Sequence, residues 1–152
     1  MVRSLLENGV AVDSREPDGT TALHWAAHHN HEEIARLLLV SGATVDAVNR
    51  YEVTPLALAA LNGSAGMIER LLEAGADPNR PNPEGETPLM TAARTGNRLA
   101  LTVLLEHGAD VDAIEAWRGQ TALMWAVAQN QVDAVDVLLL AGADPNARST
   151  GG

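Results

Sequence analysis

Gly19-Thr20-Thr21-Ala22-Leu23-His24-Trp25-Ala26-Ala27, continued by Ile34-Ala35-Arg36-Leu37-Leu38-Leu39-Val40-Ser41-Gly42-Ala43, is the stretch that the rest of the chain copies. Its skeleton returns as Thr54-Pro55-Leu56 through Gly75-Ala76, as Thr87-Pro88-Leu89 through Gly108-Ala109, and as Thr121-Ala122-Leu123 through Gly142-Ala143. The anchoring threonines lie 33, 33 and 34 residues apart, and Gly9 precedes Gly42 by 33. A fixed period of this length marks stacked units, each of which needs its neighbours to bury its apolar faces.

Within a unit the signals agree with two helices. Thr21 is placed to cap a first helix, and Leu23, Ala26 and Ala27 recur on one face at helical spacing. A second helix is predicted from about His31 to Val40, burying Ile34, Leu37 and Leu38, and Gly42 ends it in a left-handed conformation. Asp18-Gly19 marks the turn that precedes the pair. Pro55 falls at a first helical position, where its missing N–H is harmless. These residues resemble the ankyrin repeat, whose T-P-L-H and G-A-D-x-N elements are present in partly degenerate form from about Ser4 to Ala147. The resemblance implies an all-α solenoid of helix-turn-helix units with protruding β-hairpin loops. It also implies that His24, at the T-P-L-H position, bonds locally and supports the turn. The units are bounded at 14–47, 48–80, 81–113 and 114–147, with a partial unit at 1–13 and a tail at 148–152. Val2 to Glu7 fits the end of a helix, so the chain reads as starting inside a unit of a longer array.

Departures from the pattern locate strain. Glu52 stands where the other units carry Gly19, Gly85 and Gly119, which puts about 1 kcal/mol of strain in that turn. Gly66 interrupts a second helix at roughly 1 kcal/mol relative to Ala. The unit at 48–80 is therefore expected to be the most mobile. Pro81 and Pro83 stiffen the third hairpin, and the extra residue of the last unit, near Glu115 to Arg118, is expected to bulge its tip outward. Leu140 replaces the Glu73 and Glu106 of the middle units, so the last unit shows no polar cap and both ends read as uncapped.

The 152 residues carry a net charge of −10, with ten Arg and no Lys, and every unit is net negative. Nucleic acid and anionic membrane surfaces are disfavoured as partners, since both need a basic stripe, and a basic or neutral partner fits better. There is no cysteine, hence no disulfide framework and no thiolate metal site. No apolar run reaches the roughly 18–20 residues that span a bilayer, and Met1 to Val12 lacks a signal peptide's apolar stretch. The Lys-free, Ala-rich usage fits a GC-rich, bacterial genome.

Catalytic constellations are missing: no Gly-rich phosphate loop, no H-E-x-x-H, no G-x-S-x-G. The exception to weigh is His28-His29-Asn30-His31, where His24/His28 and His28/His31 have spacings compatible with a metal. Against a metal-dependent hydrolase stands the expected helix end near Asn30, which breaks the shared face. No metal or cofactor is assigned. The resemblance instead implies a non-enzymatic module that engages a protein or peptide through hairpin tips and first helices on a concave side. Carried across, those positions are Asp18, Thr20, His28 and His29 in the first full unit, and Arg50, Tyr51, Val53, Leu61 and Asn62 in the second. The third offers Glu84, Glu86, Arg94 and Thr95, and the last Trp117, Arg118, Gln120 and Gln129. Tyr, Trp and Arg dominate binding hot spots, which marks Tyr51 and Trp117 as anchors, whereas Trp25 and Trp125 on the first helices read as structural. A spacer within a larger protein is the alternative. A monomer is expected, with end-to-end association through uncapped ends as the competing state.

Overall fold

The computed structural model of the chain describes residues 11–150, so the reading of Val2 to Glu7 as a helix end lies outside the described residues. Eight helices follow in four pairs: α1 (Ala22–His28) with α2 (Glu32–Val40), α3 (Pro55–Asn62) with α4 (Ala65–Glu73), α5 (Pro88–Thr95) with α6 (Arg98–Glu106), and α7 (Ala122–Ala128) with α8 (Val132–Leu140). Each is seven to nine residues long. A helix that short is marginal in isolation, so packing against neighbours must hold it. The first helices stack α1 on α3 on α5 on α7, and the second helices form a parallel layer α2 on α4 on α6 on α8.

Side-chain size explains the stacking. Ala26, Ala27, Ala59, Ala60, Ala92 and Ala93 are at most 2% exposed, and their single methyls let the first helices approach closely. Leu23, Leu56 and Leu89 repeat at one position of the first helix, and Leu38, Leu71, Leu104 and Leu138 at one position of the second, all sealed from water. Each such leucine contributes about 1.5–3 kcal/mol by burial. Ile34 and Leu37, expected in the core, are only half-buried, and Ala35 takes the sealed position instead.

The helix starts follow the sequence with one change. Thr54, Thr87 and Thr121 hydroxyls accept the N–H of Ala57, Met90 and Met124 at 3.1, 3.4 and 3.4 Å. The Thr21 hydroxyl instead meets His24 Nδ1 at 2.8 Å, and Thr21 N–H donates to the same nitrogen at 3.2 Å. Outside the helices, a periodic ladder ties unit to unit. Asp13 accepts Thr44 N–H at 3.0 Å, Asp46 accepts Asp77 N–H at 3.1 Å, Asn79 accepts Asp110 N–H at 2.7 Å and Asp112 accepts Asp144 N–H at 2.9 Å. A second ladder runs from the side chains of Asn62, Asn97 and Gln131 to the carbonyls of His28, Gly63 and Arg94.

The protruding loops are tighter than hairpins of paired strands. Among the described residues the single β-bridge is Arg15 with Thr21. No described helix is long and apolar enough to cross a membrane.

Candidate functional site

Four loops, here called fingers, precede the four first helices, and each is closed by one backbone bond. Glu16 N–H reaches Thr20 O at 2.9 Å, Asn49 N–H reaches Val53 O at 3.3 Å, and Asn82 N–H reaches Glu86 O at 2.9 Å. In the fourth, Glu115 N–H reaches Gln120 O at 3.0 Å, enclosing one more residue than the others. In the second and third fingers the side chain at the closing position fills the loop, whereas that of Glu16 in the first accepts from Trp25 Nε1. Asn49 Oδ1 accepts the N–H of Tyr51 and Val53 at 3.0 and 3.1 Å, and Asn82 Oδ1 accepts that of Glu86 at 2.8 Å.

The longer fourth loop holds the longer side chain. The Glu115 carboxylate accepts the N–H of Trp117, Arg118 and Gln120 at 2.6, 2.7 and 3.1 Å, and Glu115 is 5% exposed. Burial pushes its carboxyl up, but the N–H groups of Trp117, Gln120 and Arg118 outweigh burial and hold it below the usual carboxylate range. The sequence located the extra residue here but not the inward carboxylate. The signal that could have found it is its register, since Glu115 lies 33 residues after Asn82 and 66 after Asn49.

The fingers are tied unevenly. Arg50 N–H donates to Asp18 O at 2.7 Å, joining the first and second tips, and Thr150 N–H donates to Arg118 O at 2.7 Å beyond the fourth. Pro83 occupies the third finger's equivalent of Arg50 and has no N–H to give, so no such bond joins the third tip back to the second. Between the third and fourth tips no backbone bond forms among the described residues. A cleft of about 330 Å³ opens there, lined by Glu84, Glu86, Glu115, Trp117, Arg118, Gln120 and Trp125.

The expected contact residues fall into groups. Trp117 is 79% exposed and Tyr51 57%, both on tips, and Leu61 is 49% exposed at the end of α3. Arg50 covers Tyr51, its guanidinium 5.1 Å from the ring centre and 3.1 Å from the hydroxyl. Glu84, Arg118, Thr95 and Gln129 are exposed, and Glu86, Arg94 and Gln120 are half-buried. Asp18 is half-buried. Its carboxylate accepts Thr20 N–H at 2.9 Å, and this bond, first among several causes, holds its carboxyl below the usual range. Thr20 is buried and does not offer the free side chain expected of a contact, and Val53, like Glu86 and Gln120, is half-buried and carries a loop-closing carbonyl. Asn62 is exposed but its amide is engaged, donating to His28 O at 2.6 Å across the stack.

The histidines divide. His24 is 1% exposed, with Nδ1 on Thr21, the local bond that the T-P-L-H position implies, and Nε2 donating to Val53 O at 2.9 Å, which beyond that expectation pins the first unit to the second finger. Burial, the leading cause, pulls its imidazole below the ordinary histidine range. His28, His29 and His31 pack face and edge on each other: His29 stacks on Trp25 at 5.6 Å and lies 4.8 Å from His28 and 5.7 Å from His31. Among the described residues no group of three or more His, Asp or Glu is arranged to hold a metal ion. Trp25, read as structural, is 46% exposed and its Nε1 donates to Glu16 at 3.1 Å, bracing the first finger. Its equivalent Trp125 is half-buried under the Arg94 guanidinium at 5.7 Å, and its Nε1 is buried without a partner.

Two stacked layers of short helices, tied by side-chain ladders of fixed period and fringed by loops on one side, define a helical-repeat solenoid. The chain belongs to the ankyrin repeat family: the model described as ankyrin repeats (3 copies) matches residues 1–82 and 77–149. No curated protein matches it. Ankyrin repeats are generally protein–protein interaction modules, and the family is typically non-enzymatic.

Proposed function

We propose that this chain is a non-enzymatic module that holds a protein or peptide along its finger tips and first helices, the concave side in the family it belongs to. The observation that carries the reading is the setting of the exposed aromatics. Tyr51 and Trp117 stand on tips whose backbones are fixed from within by Asn49 and Glu115, above helices sealed by buried alanines. Core packing does not require large apolar rings at such positions, and a rigid platform loses little entropy on binding. Arg50, Arg118, Glu84 and Glu86 border these anchors, Arg94 lies over Trp125, and together they set specificity by charge. The function calls for no metal or cofactor.

Affinity capture from a lysate of the source organism tests the anchors, using the chain beside a Tyr51→Ala/Trp117→Ala variant of equal circular dichroism. A protein retained by the first and lost from the second is the expected result. Equal capture by both means the anchors are misassigned, and no capture by either favours a spacer within a larger protein.

A further inference from the structure

Four aromatic rings other than imidazoles line the fingers and first helices, and three already carry a partner on a face. His29 stacks on Trp25 at an interplanar angle of 9°, Arg50 covers Tyr51, and Arg94 covers Trp125. Trp117 is the exception among the described residues: it is the most exposed of the four, and neither a ring nor a guanidinium lies on it.

Trp117 shares its cleft with Glu84 and Glu86, and neither carboxylate has an Arg or His within ion-pair distance among the described residues. The other charged groups bordering the cleft are Glu115 and Arg118, with Arg94 on the face of Trp125. Glu115 is consumed by three backbone N–H groups and Arg94 by the indole. Two carboxylates without an ionic partner, Glu86 also accepting Asn82 Nδ2 at 3.5 Å, thus face one free guanidinium, in a protein of net charge −10. Trp125 lines the same cleft, and its N–H lacks the acceptor that Glu16 gives the equivalent N–H of Trp25. The cleft is therefore short of a cation for a ring face and of a positive partner for two acids.

We propose that the cleft between the third and fourth fingers receives an arginine from an extended partner segment, its guanidinium stacked on Trp117 and paired with Glu84 and Glu86. This rests on the protein-binding reading above and names the chemistry of its partner. Arginine fits better than lysine, because a planar guanidinium stacks and donates to carboxylates at once whereas an ammonium is a point charge. The surrounding backbone is already fixed by Glu115, so Trp117 is presented without further ordering of its loop.

Selection from a displayed library of random linear peptides tests it, with binding of the recovered peptides then measured on variants. The expected result is enrichment of arginine over lysine. Affinity should fall about tenfold or more on Glu84→Gln/Glu86→Gln and on Trp117→Ala. Glu69→Gln/Glu73→Gln removes the same charge from exposed positions of α4 and should leave affinity unchanged. Recovered peptides without arginine enrichment, or weakened equally by the α4 pair, overturn the arginine assignment while leaving a peptide-binding module standing. Recovery of no peptide at all sinks the peptide-binding reading itself.

Discussion

His24 shows how one side chain joins two units. Its Nδ1 accepts from Thr21 N–H, which fixes the tautomer with the proton on Nε2, and that proton goes to Val53 O in the next finger. The ring is sealed, so protonating it would place a charge out of water and remove the acceptor at Nδ1. The linkage then has a definite sign. The unfolded chain takes up the proton near 6.5 and the folded chain resists it, so the unfolded state binds more protons below that value. The stabilisation is fully present above about pH 6.5 and declines as the pH falls through it. Urea midpoints at pH 7.5 and pH 5 should fall for the native chain. In His24→Gln the unfolding free energy should start about 1–2 kcal/mol lower, from the weakened bonds, and the midpoint should change less between the two pH values. Parallel losses in both chains would show that His24 does not govern this limb.

At the scale of the element, the second helix pair concentrates the irregularities. Glu52 adopts φ +56 where Gly19, Gly85 and Gly119 take φ +83, +84 and +63, and a non-glycine residue held there costs about 1 kcal/mol. Gly66 lies in α4, where a Cβ would come within 2.6 Å of Glu32 Oε1, the far end of a flexible side chain. Displacing Glu32 would loosen only its 3.6 Å contact with Arg70, and a partly exposed ion pair contributes little. Gly66→Ala is therefore expected to stabilise by about 0.5–1 kcal/mol and Glu52→Gly by up to about 1 kcal/mol. Amide exchange in α3 and α4, expected to be the fastest of the four pairs, should slow in both. A loss of stability in Gly66→Ala would mean that Glu32 cannot move.

These two positions were legible from the period alone, because a repeat supplies its own reference at every register. The helix pairs and the left-handed turns were legible for the same reason, and the local bond of His24 was implied by the resemblance, though its reach to Val53 O was not. What the period did not reveal depends on where a side chain turns. An acid in a polar loop reads alike whether it faces water or backbone N–H groups, so only its register with Asn49 and Asn82 pointed to the inward carboxylate of Glu115. Thr20 and Asn62 fell at contact positions, yet one is buried beneath its tip and the other is tied to His28 O. The cleft was not legible either, since it lies between third and fourth tips that no backbone bond joins among the described residues, and that depends on how the enlarged fourth loop sits.

For the whole molecule the open question is whether stacking continues between copies. Ala27, Ala60 and Ala93 occupy one register of the first helices and are fully buried by the next unit, whereas Val127, in the same register of α7, is 62% exposed. Around it lies a shallow apolar cleft of about 280 Å³ that includes Leu123, Met124 and Ala147, with Leu139 43% and Leu140 83% exposed on α8. Apolar exposure of this kind favours association. Two features oppose it. A further unit docking in the established geometry would meet two extra methyls where the stack elsewhere admits only alanine, and overpacking of that kind costs about 1–3 kcal/mol. Each copy also carries −10, which repels its neighbour at low salt. We therefore expect a monomer mass by light scattering that stays constant across a concentration series, for the native chain and for Val127→Glu alike. A mass that rises with concentration in the native chain and not in Val127→Glu would show that the α7 face recruits a second copy despite the added methyls.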